Sequence, residues 1–249
     1  MQPPGHHQSR RASEKIRSQA KILQDKQGIP YPKALQVAAG QRTLSQVLQE
    51  MLREESIRQL LARHPIDKSR AILVVDKRRS LDEVLIKLRA RQNILSIPGH
   101  ARLQKLLEDH LPVALQVDPD QIALGQILEI GQYELRLQPP QGEIATLRKL
   151  DLHFFFEAKD LAQVQKAIKL DRAVLARNLQ PEMSPGKRAH FKHAVFQRLV
   201  ESQEDCVLTT RRGHALRGKV VRFDLYEVDL KLSKGPLVTC CRHALGAVG

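Results

Sequence analysis

Apolar residues change rhythm along this chain. Ile16, Ala20, Ile22 and Leu23 fall at helical intervals and predict a basic helix over 12–27. The run Gly28-Ile29-Pro30-Tyr31-Pro32 must end it, because proline lacks the N–H that would continue the ladder. Two further helices are predicted over 33–39 and 44–64, with Thr43 or Ser45 as the cap of the second. Residues 71–75 form an unbroken apolar run, read as a buried strand, and Ser80 marks the start of a helix over 81–91. Residues 1–12 are polar and are expected to be a disordered tail.

The C-terminal part has the period of strands. Leu216, Val220, Val221 and Phe223 form one strand, the chain turns at Asp224, and Tyr226, Val228 and Leu230 alternate with charged residues in the next. Gly218 inside the first strand marks a bend or a close backbone approach. A second pair follows, 237–241 and 244–248, turning on Arg242 and His243. Before them Val195, Phe196, Leu199 and Val200 give 192–201 helical spacing. Short strands, tight turns and a glycine bend predict a small, strongly curved five-stranded barrel.

A shift of 93 residues lays 100–152 over 193–245 without a gap, and thirteen of the 53 positions are identical. His100 meets His193, Gly125 meets Gly218, Tyr133-Glu134 meets Tyr226-Glu227, and Gly142 meets Gly235. The single register predicts an internal duplication. The copies differ where polar chemistry would sit: Gly131, Lys149 and Leu150 stand in the first copy for Asp224, Arg242 and His243. The run Leu152-His153-Phe154-Phe155-Phe156 should bury an aromatic cluster. Between the copies, 160–179 is predicted as an amphipathic helix and 181–186 as a turn-rich linker.

At the residues Arg217-Gly218-Lys219-Val220, Phe223-Asp224-Leu225-Tyr226 and Arg242-His243-Ala244, the chain resembles the Sm-like (LSm) family, and within it the Hfq-like bacterial RNA chaperones. The resemblance implies an α+β fold: an N-terminal helical unit followed by two Sm-like, strongly bent five-stranded β-barrels, each with an N-terminal helix. The expected divisions are a basic tail and helix (1–28), a helical unit (29–70), a strand-helix connector (71–98), a degenerate first module (99–158), a helical linker (159–186) and an Hfq-like second module (187–249).

Charge agrees with a polyanionic partner. Lys and Arg number 41 against 27 Asp and Glu, a net +14, with the excess in 1–70 and 153–249. The resemblance implies binding of single-stranded RNA in post-transcriptional regulation. Arg242 would meet phosphate, His243 would hydrogen-bond, and Tyr226 would stack on a base. Arg198, Arg211, Arg212, Arg217, Lys219, Lys192 and Lys149 are candidates for the surrounding basic surface, and Arg222 joins them. Leu225, Thr209, Ala215, Val200, Glu201 and Gln203 depart from the family's residues at the base-selective, opposite-face and rim positions.

Two other readings stand beside this one: a protein-interaction or assembly scaffold without RNA binding, and DNA binding through the N-terminal helices. Strand pairing between modules implies a homo-oligomer, three chains making a six-module pseudo-ring, with a monomer as the alternative. No phosphate-cradling glycine loop or paired acidic motif appears, so no enzyme activity, cofactor or metal is expected. His190 and His193 lie three apart without further ligands. Cys206, Cys240 and Cys241 are expected to be buried free thiols. With no long apolar run or signal core, no membrane partner is expected and the predicted location is cytoplasmic.

Overall fold

A computed structural model describes residues 5–118, 121–177, 179–182, 184, 191–233 and 235–249. The chain divides into two compact units, Met1–Val84 and Leu85–Gly249.

The first unit is helical: α1 (Gly5–Gln27), α2 (Tyr31–Ala38), α3 (Leu44–Arg63) and α4 (Lys68–Val75), followed by the opening turn of α5 (Leu81–Ser96). α1 begins inside the stretch expected to be a tail and stops at Gly28, whose φ of 64° suits glycine. Thr43 and Gln46 form a reciprocal capping box at the start of α3. Ala20, Ile29, Ala34 and Val47 make the small core. The run 71–75 is not a strand. Asp67 accepts from the Arg70 N–H and caps a helix there, and an apolar run this short carries no period of its own to separate the two states.

The second unit is α+β. It contains α6 (Ala101–Glu108), β1 (Pro112–Asp118), β2 (Gln121–Ile130), β3 (Glu134–Gln138), β4 (Ala145–Arg148), β5 (Phe154–Glu157), α7 (Leu161–Ala167), β6 (Lys169–Leu170), α8 (Arg172–Ala176), α9 (His193–Ser202), β7 (Asp205–Thr210), β8 (His214–Phe223), β9 (Glu227–Leu232), β10 (Leu237–Cys241) and β11 (Leu245–Val248). The strands form one antiparallel, open sheet in the order β11-β7-β8-β9-β10-β5-β1-β2-β3-β4, with β6 paired to β8, and not the two closed five-stranded barrels expected, because β5 pairs with β10 and joins the copies edge to edge. β10 and β11, read as neighbours across the Arg242-His243 turn, do not pair with each other. A 3-10 turn (Arg242–Ala244) sends them to different partners: β10 to β9 and β5, β11 to β7. The predicted helix over 160–179 is broken into α7, β6 and α8, where Lys169 and Leu170 pair with β8 and Asp171 caps α8. Part of the linker 181–186 lies outside the described residues.

The 93-residue offset recurs in the hydrogen-bond registers. Val113 pairs with Gly125 as Cys206 pairs with Gly218, and Ile127 with Leu137 as Val220 with Leu230. The bulge at Ile127/Glu129 returns at Val220/Arg222. The bend glycines have one cause. A Cβ on Gly125 would lie 2.4 Å from the Gln138 carbonyl oxygen, and one on Gly218 would lie 2.3 Å from that of Lys231.

One strand stitches the two copies. β10 pairs with β5 at Thr239↔Phe155 and Cys240↔Phe154. Because side chains alternate across a strand, Phe154 and Phe156 enter one core with Phe196, Phe223 and Leu230, while Phe155 enters the other with Leu115, Leu135 and Cys241. All three phenylalanines are buried, as expected from the sequence, and the three cysteines are free and buried.

Candidate nucleic-acid interface

The turn Asp224–Glu227 is built by one carboxylate. Oδ1 of Asp224, fully buried, accepts from the N–H groups of Tyr226 (2.7 Å) and Glu227 (2.8 Å). Its Oδ2 accepts from the N–H of Ala101, and Oε2 of Glu227 accepts from the N–H of Arg102 at 3.0 Å. Two carboxylates of the second copy therefore cap helix α6 of the first, where the helix dipole favours negative charge. Arg222 balances them, donating to Asp229 at 2.6 Å and to Glu227 at 3.4 Å. Burial raises the Glu227 pKa, with His100 and the Arg102 N–H opposing.

Tyr226, the expected stacking residue, is already stacked. The His100 ring lies 4.5 Å from it, centroid to centroid, with the planes 9° apart. His100 takes φ 62° at the start of α6, and a Cβ on Gly99 would sit 2.6 Å from the tyrosine ring, so glycine is required there. Tyr226 still exposes 45% of its surface.

Arg242 serves the fold. Its guanidinium donates to the carbonyls of Asp224 (2.9 Å), Leu225 (3.3 Å) and Phe191 (2.9 Å) and lies 5.0 Å from the Phe196 ring centroid. Burial pushes its pKa down to about 10, with the Asp224 charge opposing. The expected first contact with phosphate is thus spent on three backbone carbonyls. His243 is half-buried in the same 3-10 turn. Lys149, the first-copy equivalent of Arg242, is half-buried, and burial lowers its pKa.

The other candidates divide into two groups. Arg198, Lys192, Arg217 and Lys219 are exposed, and Arg217 approaches Asp205 at 3.5 Å. Arg211 and Arg212 sit in the β7–β8 turn. Arg211 is only 6% exposed, and it donates to the carbonyls of Leu150 (2.7 Å) and His243 (3.3 Å). It thereby ties together the two turns, Lys149–Asp151 and Arg242–Ala244, that sequence reasoning paired.

Arg211 and Arg212 also line a cleft of about 420 Å³ with Arg148, Asp151 and His153. Arg148 donates to Asp151 at 2.8 Å, so three arginines face one carboxylate. His153 is 2% exposed, and burial, then the Arg211 charge, hold its pKa down to about 3, leaving the ring uncharged at neutral pH. The cleft is cationic and has the volume of a small-ligand site, roughly 300–1,000 Å³. Arg211 and Arg212 were legible in the sequence as basic candidates, whereas Arg148, His100 and His153 were not; the 93-residue offset pairs His100 with His193 and Arg148 with Cys241 without giving either a role, and His153 lies just past its end. His190 lies outside the described residues, and no metal-binding group of histidine, cysteine and acidic side chains occurs among the described ones. No helix among the described residues is long and apolar enough to cross a membrane. No family model, curated protein or solved structure matches the chain.

Proposed function

We propose that this chain is a non-enzymatic binder of single-stranded RNA, built from two Sm-like modules and acting in post-transcriptional regulation in the cytoplasm. The cleft of Arg148, Arg211 and Arg212 carries the reading, because the planar guanidinium fork of Arg212 suits phosphate oxygens and the three positive charges outweigh Asp151, Arg211 adding charge while its own fork holds the Leu150 and His243 carbonyls. The strand order of each copy, its glycine bend and its 3-10 turn after the fourth strand support the Sm-like assignment. The contact differs from the one the sequence resemblance implied. Phosphate meets the β7–β8 turn and β4, not Arg242, and a base reaches only the uncovered part of Tyr226. Arg198, Lys192 and Lys219 extend the basic surface and attract the polyanion at longer range.

Ultraviolet crosslinking of the full chain to uridine oligomers, followed by peptide mapping and sequencing of bound RNA, tests this. Crosslinked peptides are expected around 146–153 and 211–212. Crosslinks confined to 5–84, or equal labelling by duplex DNA, would contradict it. The scaffold reading is favoured by one observation, that Arg242 and Tyr226 are already engaged within the molecule. It expects no RNA crosslink at all.

A further inference from the structure

Three guanidinium groups line the cleft at β4 and the β7–β8 turn against one carboxylate, so among the described residues its walls carry a net charge of +2. Two of the cations are held by the fold. Arg211, 6% exposed, grips the carbonyls of Leu150 and His243. Arg148 gives its Nε–H to Asp151 at 2.8 Å, which leaves its terminal nitrogens for a ligand. Arg212 follows Arg211 in the same turn. His153 adds nothing to the charge, because a pKa of about 3 keeps its ring neutral. Like charges gathered on one wall repel, and the anion that matches their sum gains most. An internal RNA phosphate carries one negative charge and leaves half of the excess unbalanced. A phosphate monoester, with roughly −1.5 to −2 at pH 7, balances nearly all of it.

We infer that, with this cleft read as the phosphate site, its preferred ligand is a phosphate monoester, at the end of an RNA strand or on a free mononucleotide, and not an internal phosphodiester. A monoester presents three acceptor oxygens where a diester keeps two, which suits cations arriving from two separate elements, β4 and the β7–β8 turn. An internal phosphate also needs the strand to leave the cleft in two directions, whereas an end leaves in one. Leu147 and Pro181 give the cleft apolar wall for the attached nucleoside, and Gln121 supplies an amide. The preference depends on pH, since a monoester takes up its second proton near pH 6. The protein groups that could act in the same range are imidazoles. His214 stands edge-on to His153 with ring centroids 6.2 Å apart, and His243 lends its carbonyl to Arg211. Protonating either adds positive charge and tightens anion binding as pH falls, opposite in sense to the ligand's own loss of charge.

Isothermal titration calorimetry of the full chain tests this with three uridine pentamers, one carrying a 5′-phosphate, one a 3′-phosphate and one neither. At pH ~7.5 a pentamer with a terminal phosphate is expected to bind roughly tenfold tighter than the one without, and the advantage should shrink at pH ~5. Uridine 5′-monophosphate is expected to displace the bound pentamer, and uridine is not. A monophosphate as tight as the phosphorylated pentamer makes the free mononucleotide the ligand; a tighter pentamer makes it the RNA end. Arg148→Gln, at a side chain 62% exposed, should remove most of the advantage and keep the wild-type circular dichroism. Equal affinity of the three pentamers at pH ~7.5 overturns the inference and leaves the RNA reading standing. An advantage that holds or grows at pH ~5, as protonation of His214 or His243 would give, also overturns it. So does a full advantage in folded Arg148→Gln. Binding of uridine 5′-monophosphate without binding of any pentamer overturns the RNA reading and leaves the monoester site.

Discussion

His100 lies face to face with Tyr226, 126 residues further along the chain, their ring centroids 4.5 Å apart. An imidazole thus occupies the tyrosine face that the sequence resemblance assigned to a base. Aromatic stacking is worth about 0.5–1.5 kcal/mol. Removing the covering ring should therefore release a platform. His100→Gly suits the position, since φ 62° costs glycine nothing. Fluorescence anisotropy with a uridine oligomer is expected to show roughly two- to tenfold tighter binding, the gain vanishing when Tyr226→Ala is added. Unchanged affinity in the single variant would show that the tyrosine is a packing residue only.

Gly218 faces the Lys231 carbonyl across β8 and β9 so closely that no side chain fits. Gly218→Ala is expected to cost about 3 kcal/mol in urea unfolding, the upper end for overpacking, because the obstacle is backbone. Gly125→Ala should cost a similar amount, given the matching contact with Gln138. By contrast Gly142→Ala meets open space, although its φ of 99° still strains an alanine.

Arg242 clamps three carbonyls and lies over Phe196. Arg242→Ala is expected to lose about 2–4 kcal/mol of stability, from charged hydrogen bonds and the cation–aromatic contact. Arg242→Lys should recover little, since an ammonium lacks the planar fork. RNA affinity of the folded fraction should stay within about twofold. A large affinity loss with full stability would return Arg242 to the role that the resemblance implied.

The buried His153 ring makes stability depend on pH. Its Nδ1 is buried without a hydrogen-bond partner among the described residues. The unfolded imidazole titrates near 6.5 and the folded one near 3, so between those values only the unfolded chain takes the proton. The contribution is complete above pH ~6.5 and is lost as pH falls towards 3, at about 1.4 kcal/mol per unit. Glu227 works in the opposite sense: its raised pKa favours the protonated folded form, and that stability disappears as pH rises through the raised value. His153→Phe should flatten the acid limb of urea midpoints measured from pH ~4 to ~7. An unchanged slope would place the titrating group elsewhere.

Much of the sheet was legible because strand alternation and turn residues are local. Gly218, Asp224 and the Arg242-His243-Ala244 turn lie where the sequence put them, and the offset that matched Tyr133 to Tyr226 also matched their registers. What was illegible depends on partners distant in sequence. The run 71–75 is helical because Asp67 caps it and the unit around it is helical. β10 leaves β11 because β5, some eighty residues earlier, offers a paired edge. The site was misjudged for the same reason: Arg242 carries the charge expected of a phosphate ligand, but Phe191, Asp224 and Leu225 present their carbonyls to it first. The cleft at Arg148 needs β4, β1 and the β7–β8 turn to converge, which no local pattern announces.

The most direct measurement is the salt dependence of single-stranded RNA binding by the wild-type chain and by Arg212→Gln. Anisotropy with a uridine oligomer, taken from roughly 50 to 200 mM salt, should give an affinity that falls linearly on logarithmic axes. Arg212→Gln should weaken it by about 1–3 kcal/mol and make the slope shallower by about one phosphate contact. No binding at the lowest salt, or binding that is indifferent to salt and to Arg212, would contradict the account.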